Sequence, residues 1–90
     1  MDLRTAYKIG KDLGASFIWT NQEDISEFES AEALAFEVFD NYIEFSPWEF
    51  TGKEFNESRN PDRTWEEFFR GLEVGARREA KDLNLTFGRE

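Results

Sequence analysis

Residues 29–45 read ESAEALAFEVFDNYIEF, and the spacing of the apolar residues in this stretch decides the fold. Apolar side chains recur every three or four positions, which is the spacing of one face of an α-helix. At about 100° per residue, four apolar side chains fall within roughly 60° of Ala35: Ala31, Val38, Phe39 and Tyr42. Ser30 offers the hydroxyl group that caps many helix N-termini. The stretch therefore predicts an amphipathic helix from Ser30 to Phe45.

The opposite face of this predicted helix is acidic. Glu29, Glu37, Asp40 and Glu44 lie about 120° to 200° from Ala35, and the stretch contains no basic residue. Like charges three or four residues apart destabilise a helix by roughly 0.2–0.5 kcal/mol per pair. The simplest interpretation is a solvated face that keeps the protein soluble. The missing bases favour a different one, in which the face binds a basic partner.

The whole chain of 90 residues has a formal net charge of −9, and the excess acid lies in its middle third. Residues 1–22 carry a net charge of +1, residues 23–57 carry −10, and residues 58–90 are neutral. A charge of this sign disfavours direct binding to nucleic acid or to an anionic membrane and favours basic partners.

The N-terminal part predicts a helix from Asp2 to Ala15, with Asp2 as its N-cap. Residues 16–28 are predicted as a loop, with Phe17 or Trp19 packed beneath it. The apolar run that begins at Phe17 also allows a short strand. A single turn of helix is predicted at Asp24, where the sequence reads DIS.

A short helix is predicted after residue 45. Ser46, Pro47 and Glu49 match a capping box with proline at the first helical position, and this helix should end near Phe55 or Asn56. Asn60 or Asp62 then caps a longer helix that runs to about Leu83. Its buried stripe consists of Trp65, Phe68, Phe69, Leu72, Ala76, Ala80 and Leu83.

Two glycine pairs, Gly10/Gly14 and Gly71/Gly75, lie inside predicted helices. Each glycine costs about 1 kcal/mol relative to alanine at such a position. Close contact between two helix backbones is the expected compensation. The predicted fold is therefore all-α, a single domain (residues 1–90) formed as a small bundle of three longer helices and one short helix.

Composition argues against catalysis and against bound cofactors or metals. The chain has neither His nor Cys, so the usual neutral-pH base, the thiolate nucleophile and the commonest metal ligands are missing. Pairs of carboxylates are expected by chance in a helical chain with 20 acidic residues. No apolar run approaches the roughly 18 residues of a membrane span. The N-terminus lacks the apolar region of a signal peptide. We expect a non-enzymatic, cytoplasmic protein without cofactors.

An extended acidic face can imitate the phosphates of a nucleic acid. Carboxylates about 5.4 Å apart on one helix are sparser than phosphates about 3.4 Å apart on one strand, so a second row would improve the match. Glu49, Glu54 and Glu57 are the candidates for that row. Aromatic residues on the same surface, if exposed, would add the anchors that dominate many interfaces: Phe36, Trp48 or Phe50.

In size, acidity, aromatic content and lack of His and Cys, the chain resembles small anti-defence proteins of phages and mobile elements, of the anti-CRISPR and antirestriction type. The resemblance covers overall character only. It implies a phage-encoded inhibitor that acts in the host cytoplasm. Such an inhibitor would bind a basic nucleic-acid-binding protein or defence complex through an acidic, nucleic-acid-mimicking face. The expected partner-binding residues are Glu29, Glu37, Asp40, Glu44, Glu49, Glu54 and Glu57.

Two other interpretations stay open. The first is an interaction module or homodimer that buries surplus aromatic residues in an apolar interface. The second is a small nucleotide-sequestering protein in which Trp48 or Trp65 stacks on a base. The salt dependence of binding distinguishes an apolar interface from nucleic-acid mimicry. Electrostatic contacts weaken steeply as the salt concentration rises, and apolar contacts do not.

Overall fold

The computed structural model describes residues 2–41 and 52–88, and within these ranges the chain is helical with no strand. Helix α1 spans Leu3–Thr20. Asp2 is its N-cap, as predicted, because the Asp2 carboxylate accepts a hydrogen bond of 2.7 Å from the Thr5 N–H. That bond, together with a hydrogen bond from the Thr5 side chain, lowers the pKa of the Asp2 carboxyl.

Helix α1 continues five residues beyond the predicted end at Ala15, so the predicted loop and the alternative strand are wrong there. Phe17 and Ile18 are buried because they extend the helical stripe that already includes Leu13. The helix ends only at Asn21, whose backbone N–H and side-chain amide both donate to the Phe17 carbonyl. A 3₁₀ helix, Gln22–Glu27, follows at the predicted helical turn.

Helix α2 spans Ala31–Asp40, and Ser30 caps it as predicted by accepting a 3.2 Å hydrogen bond from the Ala33 N–H. The prediction that this helix runs to Phe45 is wrong. Asn41 terminates it, because the Asn41 side-chain amide donates to the Glu37 carbonyl at 3.0 Å and so competes with a further helical turn.

Helix α3 is the short helix Lys53–Asn56, and Gly52 precedes it with a φ of 78°. Its end at Asn56 agrees with the prediction, whereas the predicted cap at Ser46 lies outside the described residues. Helix α4 spans Pro61–Asp82 with Asn60 as N-cap.

The C-terminus of α4 is closed by a Schellman motif. Asn84 has a φ of 58°, and the Leu85 N–H donates to the Ala80 carbonyl at 2.8 Å. The tail then packs on the body, because Phe87 is buried and the Gly88 N–H donates to the Phe28 carbonyl at 2.7 Å.

Helices α1 and α4 run parallel and touch backbone to backbone, as the glycine pairs predict. A Cβ atom added at Gly10 would overlap the Phe68 carbonyl oxygen, and one added at Gly14 would overlap that of Leu72. The reverse holds as well, because a Cβ atom at Gly71 would overlap the Tyr7 carbonyl oxygen. The two helices could not approach this closely with any larger residue at these positions.

The core lies between this helix pair and α2. Its largest fully buried side chains include Leu13, Leu34, Phe55, Phe68 and Leu72. Helix α2 runs antiparallel to α4, since Phe36 contacts Phe69 and the later residue Phe39 contacts the earlier residue Trp65. The architecture is thus the predicted small all-α bundle, with three longer α-helices, one short α-helix and a 3₁₀ helix in the described residues.

Candidate functional site

The acidic residues of the middle third lie on the surface. Every described acidic side chain between residues 23 and 57 is exposed. These residues are Glu23, Asp24, Glu27, Glu29, Glu32, Glu37, Asp40, Glu54 and Glu57. All nine carboxylates therefore lie where solvent reaches them.

On α2, the acidic residues surround an exposed aromatic ring. Glu37 and Asp40 have no ion-pair partner among the described residues. The Phe36 side chain is 53% exposed. Glu32 and Asp40 lie one turn before and one turn after Phe36, and residues four apart are neighbours on a helix surface. This part of the surface combines an exposed apolar ring with carboxylates that form no ion pair with a described residue. The sequence left open which of Phe36, Trp48 and Phe50 would be exposed.

The predicted second acidic row is only partly described and partly neutralised. Glu54 and Glu57 are both exposed on or beside α3, but the Glu57 carboxylate lies 3.9 Å from the Lys53 ammonium group. Glu44 and Glu49 lie outside the described residues. The described acids of α2 and α3 belong to helices that meet around Trp65, which contacts Phe39 at a centroid distance of 5.7 Å and Phe55 at 4.9 Å.

An open groove of about 530 Å³ runs between α2 and α4 beside the acidic face. Its walls are aromatic: Phe36 and Phe39 from α2, and Trp65 and Phe69 from α4. The Phe36 and Phe69 ring centroids are 4.8 Å apart, and those of Phe39 and Phe69 are 5.6 Å apart. These contacts fix the walls without closing the groove. We call this feature the aromatic groove.

Two carboxylates that the sequence analysis did not select line the aromatic groove. Asp62 and Glu66 lie four residues apart on α4, on the same side as Trp65 and Phe69. Neither forms an ion pair with a described residue. Their spacing beside the predicted aromatic stripe was the signal that could have identified them.

Arg70, which follows Glu66 by one turn on α4, contacts other groups. The Arg70 guanidinium group lies 3.9 Å from the Glu67 carboxylate and 6.0 Å from the centre of the Tyr7 ring on α1. Glu66 therefore stays uncompensated, although Arg70 follows it by one turn. Further along α4, Arg77 pairs with Glu73 at 3.0 Å. This is a solvent-accessible ion pair between residues four apart on one helix.

Trp65 is held in place as a wall of the groove. Its indole N–H donates to the Asn56 side-chain oxygen at 2.9 Å. Its ring makes edge contacts with Phe39, Phe55 and Phe68. A ring surrounded in this way presents little free face, which counts against Trp65 as a stacking platform for a nucleotide base. Trp48, the other candidate for that role, lies outside the described residues.

Residues 2–41 and 52–88 contain neither a metal-binding cluster nor a membrane-spanning helix. No group of three or more acidic residues there has the arrangement of a metal site. None of the described helices has the length and apolar character that crossing a membrane requires.

Comparison of the chain with protein-family models, with curated proteins and with solved structures gave no match in any of the three.

Proposed function

We propose that this protein is a non-enzymatic, phage-encoded inhibitor of the anti-CRISPR type, which docks its acidic face on the basic nucleic-acid channel of a host defence complex. The observation that carries the proposal is the α2 surface. There Glu37 and Asp40 are exposed and form no ion pair with a described residue, and the exposed ring of Phe36 lies beside them. Carboxylates in such a position attract a channel lined with Lys and Arg and repel a competing nucleic acid.

The docking face comprises acids from three segments. The described ones are Glu29, Glu37, Asp40, Glu54 and Glu57, and the same face is proposed to include Glu44 and Glu49. Within this set Glu37 and Asp40 should contribute most, because no base in the described part of the chain forms an ion pair with them. Glu57 should contribute less, because Lys53 already offsets part of its charge.

The test measures binding to a panel of purified CRISPR and restriction complexes, with displacement of labelled DNA or RNA as the readout. One panel member should bind, lose its nucleic acid, and release the protein as salt rises. Glu37→Lys with Asp40→Lys should weaken that binding by about tenfold or more, because two attractive contacts become repulsive.

The matched control is Asp12→Lys with Asp82→Lys, which changes the net charge from −9 by the same four units. Both control residues are exposed, one on α1 and one at the end of α4, and neither belongs to the proposed docking face. Circular dichroism should show that both double variants fold. No bound panel member, or equal losses in the two double variants, would reject the proposal.

A second candidate is an interaction module or homodimer with an apolar interface, and the exposed Phe36 ring is the observation that favours it. Sedimentation equilibrium at low and high salt distinguishes the two candidates. A dimer held by aromatic burial should persist in high salt, whereas the inhibitor should sediment as a monomer at both concentrations.

A further inference from the structure

The aromatic groove has a chemistry that an acidic docking face alone does not require. A face that only imitates phosphates needs carboxylates and no cavity. Here four aromatic rings line an open groove of about 530 Å³. Ligand pockets usually have volumes of about 300–1,000 Å³. The occupant must therefore offer apolar surface to the rings of Phe36 and Phe69.

The rim of the groove restricts the charge of that occupant. Asp62 and Glu66 are exposed, lack ion-pair partners among the described residues, and lie four residues apart on α4. Like charges at this spacing destabilise the isolated helix slightly. A cation placed between them would relieve the repulsion. An anionic occupant such as a nucleotide phosphate would increase it.

A second copy of this chain does not fit the groove. A symmetric dimer brings the same patch together from both subunits, so the Asp62 and Glu66 carboxylates of one copy would face those of the other. Each copy also carries a net charge of −9. A basic partner meets neither obstacle.

Arginine matches this combination better than lysine does. Its planar guanidinium group stacks on aromatic rings, is only weakly hydrated, and bonds carboxylates through several N–H groups at once. Lysine offers a compact, strongly hydrated charge. The size of the groove exceeds one side chain, so the occupant is a short segment in which an apolar residue accompanies the arginine.

We propose that the aromatic groove binds a short arginine-bearing, apolar segment of a protein partner. The apolar side chain packs on Phe36 and Phe69, and the guanidinium group lies between the Asp62 and Glu66 carboxylates. This inference rests on the proposed function in one respect, namely that the partner is a basic protein. The groove then adds shape and side-chain selectivity to an attraction that the α2 acids supply over longer range.

The test uses a short labelled peptide that contains leucine and arginine, titrated into the full-length protein at low salt and followed by fluorescence polarisation. Two matched peptides carry lysine or the neutral isostere citrulline in place of arginine. The arginine peptide should bind most tightly and the citrulline peptide most weakly. No binding of the arginine peptide, or equal binding of all three, would overturn the proposal.

Protein variants then locate the binding. Phe36→Ala should lower the affinity for the arginine peptide by about tenfold, and so should the double variant Asp62→Asn with Glu66→Gln. This is the loss expected when an anchor of an interface is removed. Phe36→Leu retains apolar bulk and should lose less. Asp12→Asn with Asp82→Asn removes the same two charges elsewhere and should leave the affinity within about twofold. If this control lowers the affinity for the peptide as much as the groove variants do, the peptide is attracted only by the net charge of the protein and the groove is not the binding site.

The two proposals fail in different ways. If no defence complex in the panel binds but the arginine peptide binds in the groove, the inhibitor function is rejected and the groove stands. If a panel member binds through Glu37 and Asp40 and no groove variant changes its affinity or the peptide's, the groove proposal is rejected and the inhibitor function stands.

Discussion

Helix α4 packs on α1 along one side and on α2 along the other, and the two contacts use opposite chemistry. Toward α1, Gly71 and Gly75 bring two backbones so close that no Cβ atom fits. Toward α2, large rings such as Phe69 meet Phe36 at a centroid distance of 4.8 Å and leave open space between the helices.

This difference separates the part of the molecule that sets the fold from the part that is free to bind. At the four glycines of the α1–α4 contact the two backbones touch directly, and packing explains every one of these glycines. The α2–α4 side retains an exposed ring, at Phe36, and carboxylates without partners, at Asp62 and Glu66. Packing explains neither feature, and such unexplained exposure is where a functional surface is expected.

The largest loss of stability is expected when the glycines of the α1–α4 contact are replaced by residues that carry a Cβ atom. Gly10→Ala combined with Gly71→Ala places Cβ atoms against the carbonyl oxygens of Phe68 and Tyr7, which are backbone atoms and cannot rotate away. We expect a loss of roughly 5 kcal/mol or more, which is comparable to the lower end of the total stability of a domain this size. Urea denaturation followed by circular dichroism measures it.

An exposed substitution on the same helix, Lys81→Ala, serves as the control for the glycine variants and should change the stability by less than about 0.5 kcal/mol. If the double alanine variant is instead stabilised, the helix-propensity gain of about 1 kcal/mol per glycine exceeds the steric cost. The backbone contact between α1 and α4 would then be looser than described.

Smaller losses of stability are expected from replacing either of two phenylalanines, one in the core and one on the proposed functional surface. Phe68 is fully buried and Phe36 is 53% exposed. Phe68→Ala should cost about 3–5 kcal/mol, because it leaves a cavity in the core. Phe36→Ala should cost about 1 kcal/mol or less, in proportion to the area that it buries. Thermal unfolding of both variants checks this, and similar losses would show that Phe36 is structural.

The sequence predicted the helices and the α1–α4 contact well because those features depend on local signals. The caps at Asp2, Ser30 and Asn60 are recognisable from residue type, and the Gly-x-x-x-Gly spacing indicates close contact by itself. The end of α1 was missed because Phe17 and Ile18 resemble the start of a strand as well as the continuation of a helix. Only burial against the rest of the fold decides between the two.

The candidate site was less predictable, since it is formed by two helices. Exposure of the α2 acids followed from helical periodicity, whereas the sequence left open whether Phe36 would be exposed. The partnership of Phe36 with Asp62 and Glu66 depends on which face of α4 meets α2, and no local pattern contains that information. Likewise, the pairing of Arg70 with Glu67 and Tyr7 rather than with Glu66 depends on the position of α1.

The smallest expected effect sharpens the comparison most. Glu37→Gln with Asp40→Asn removes two charges that contact nothing described in the fold. Stability should stay constant or rise by a few tenths of a kcal/mol, roughly the size of the like-charge repulsion that is relieved. Chemical denaturation with urea, which adds no ionic strength, resolves such a change.

Replacing a residue that stabilises the fold lowers the free energy of unfolding. An unchanged or higher stability together with weaker partner binding would place these acids with the functional surface. A clear loss of stability would instead assign them to the fold, because it would mean that the carboxylates make stabilising interactions within the folded chain.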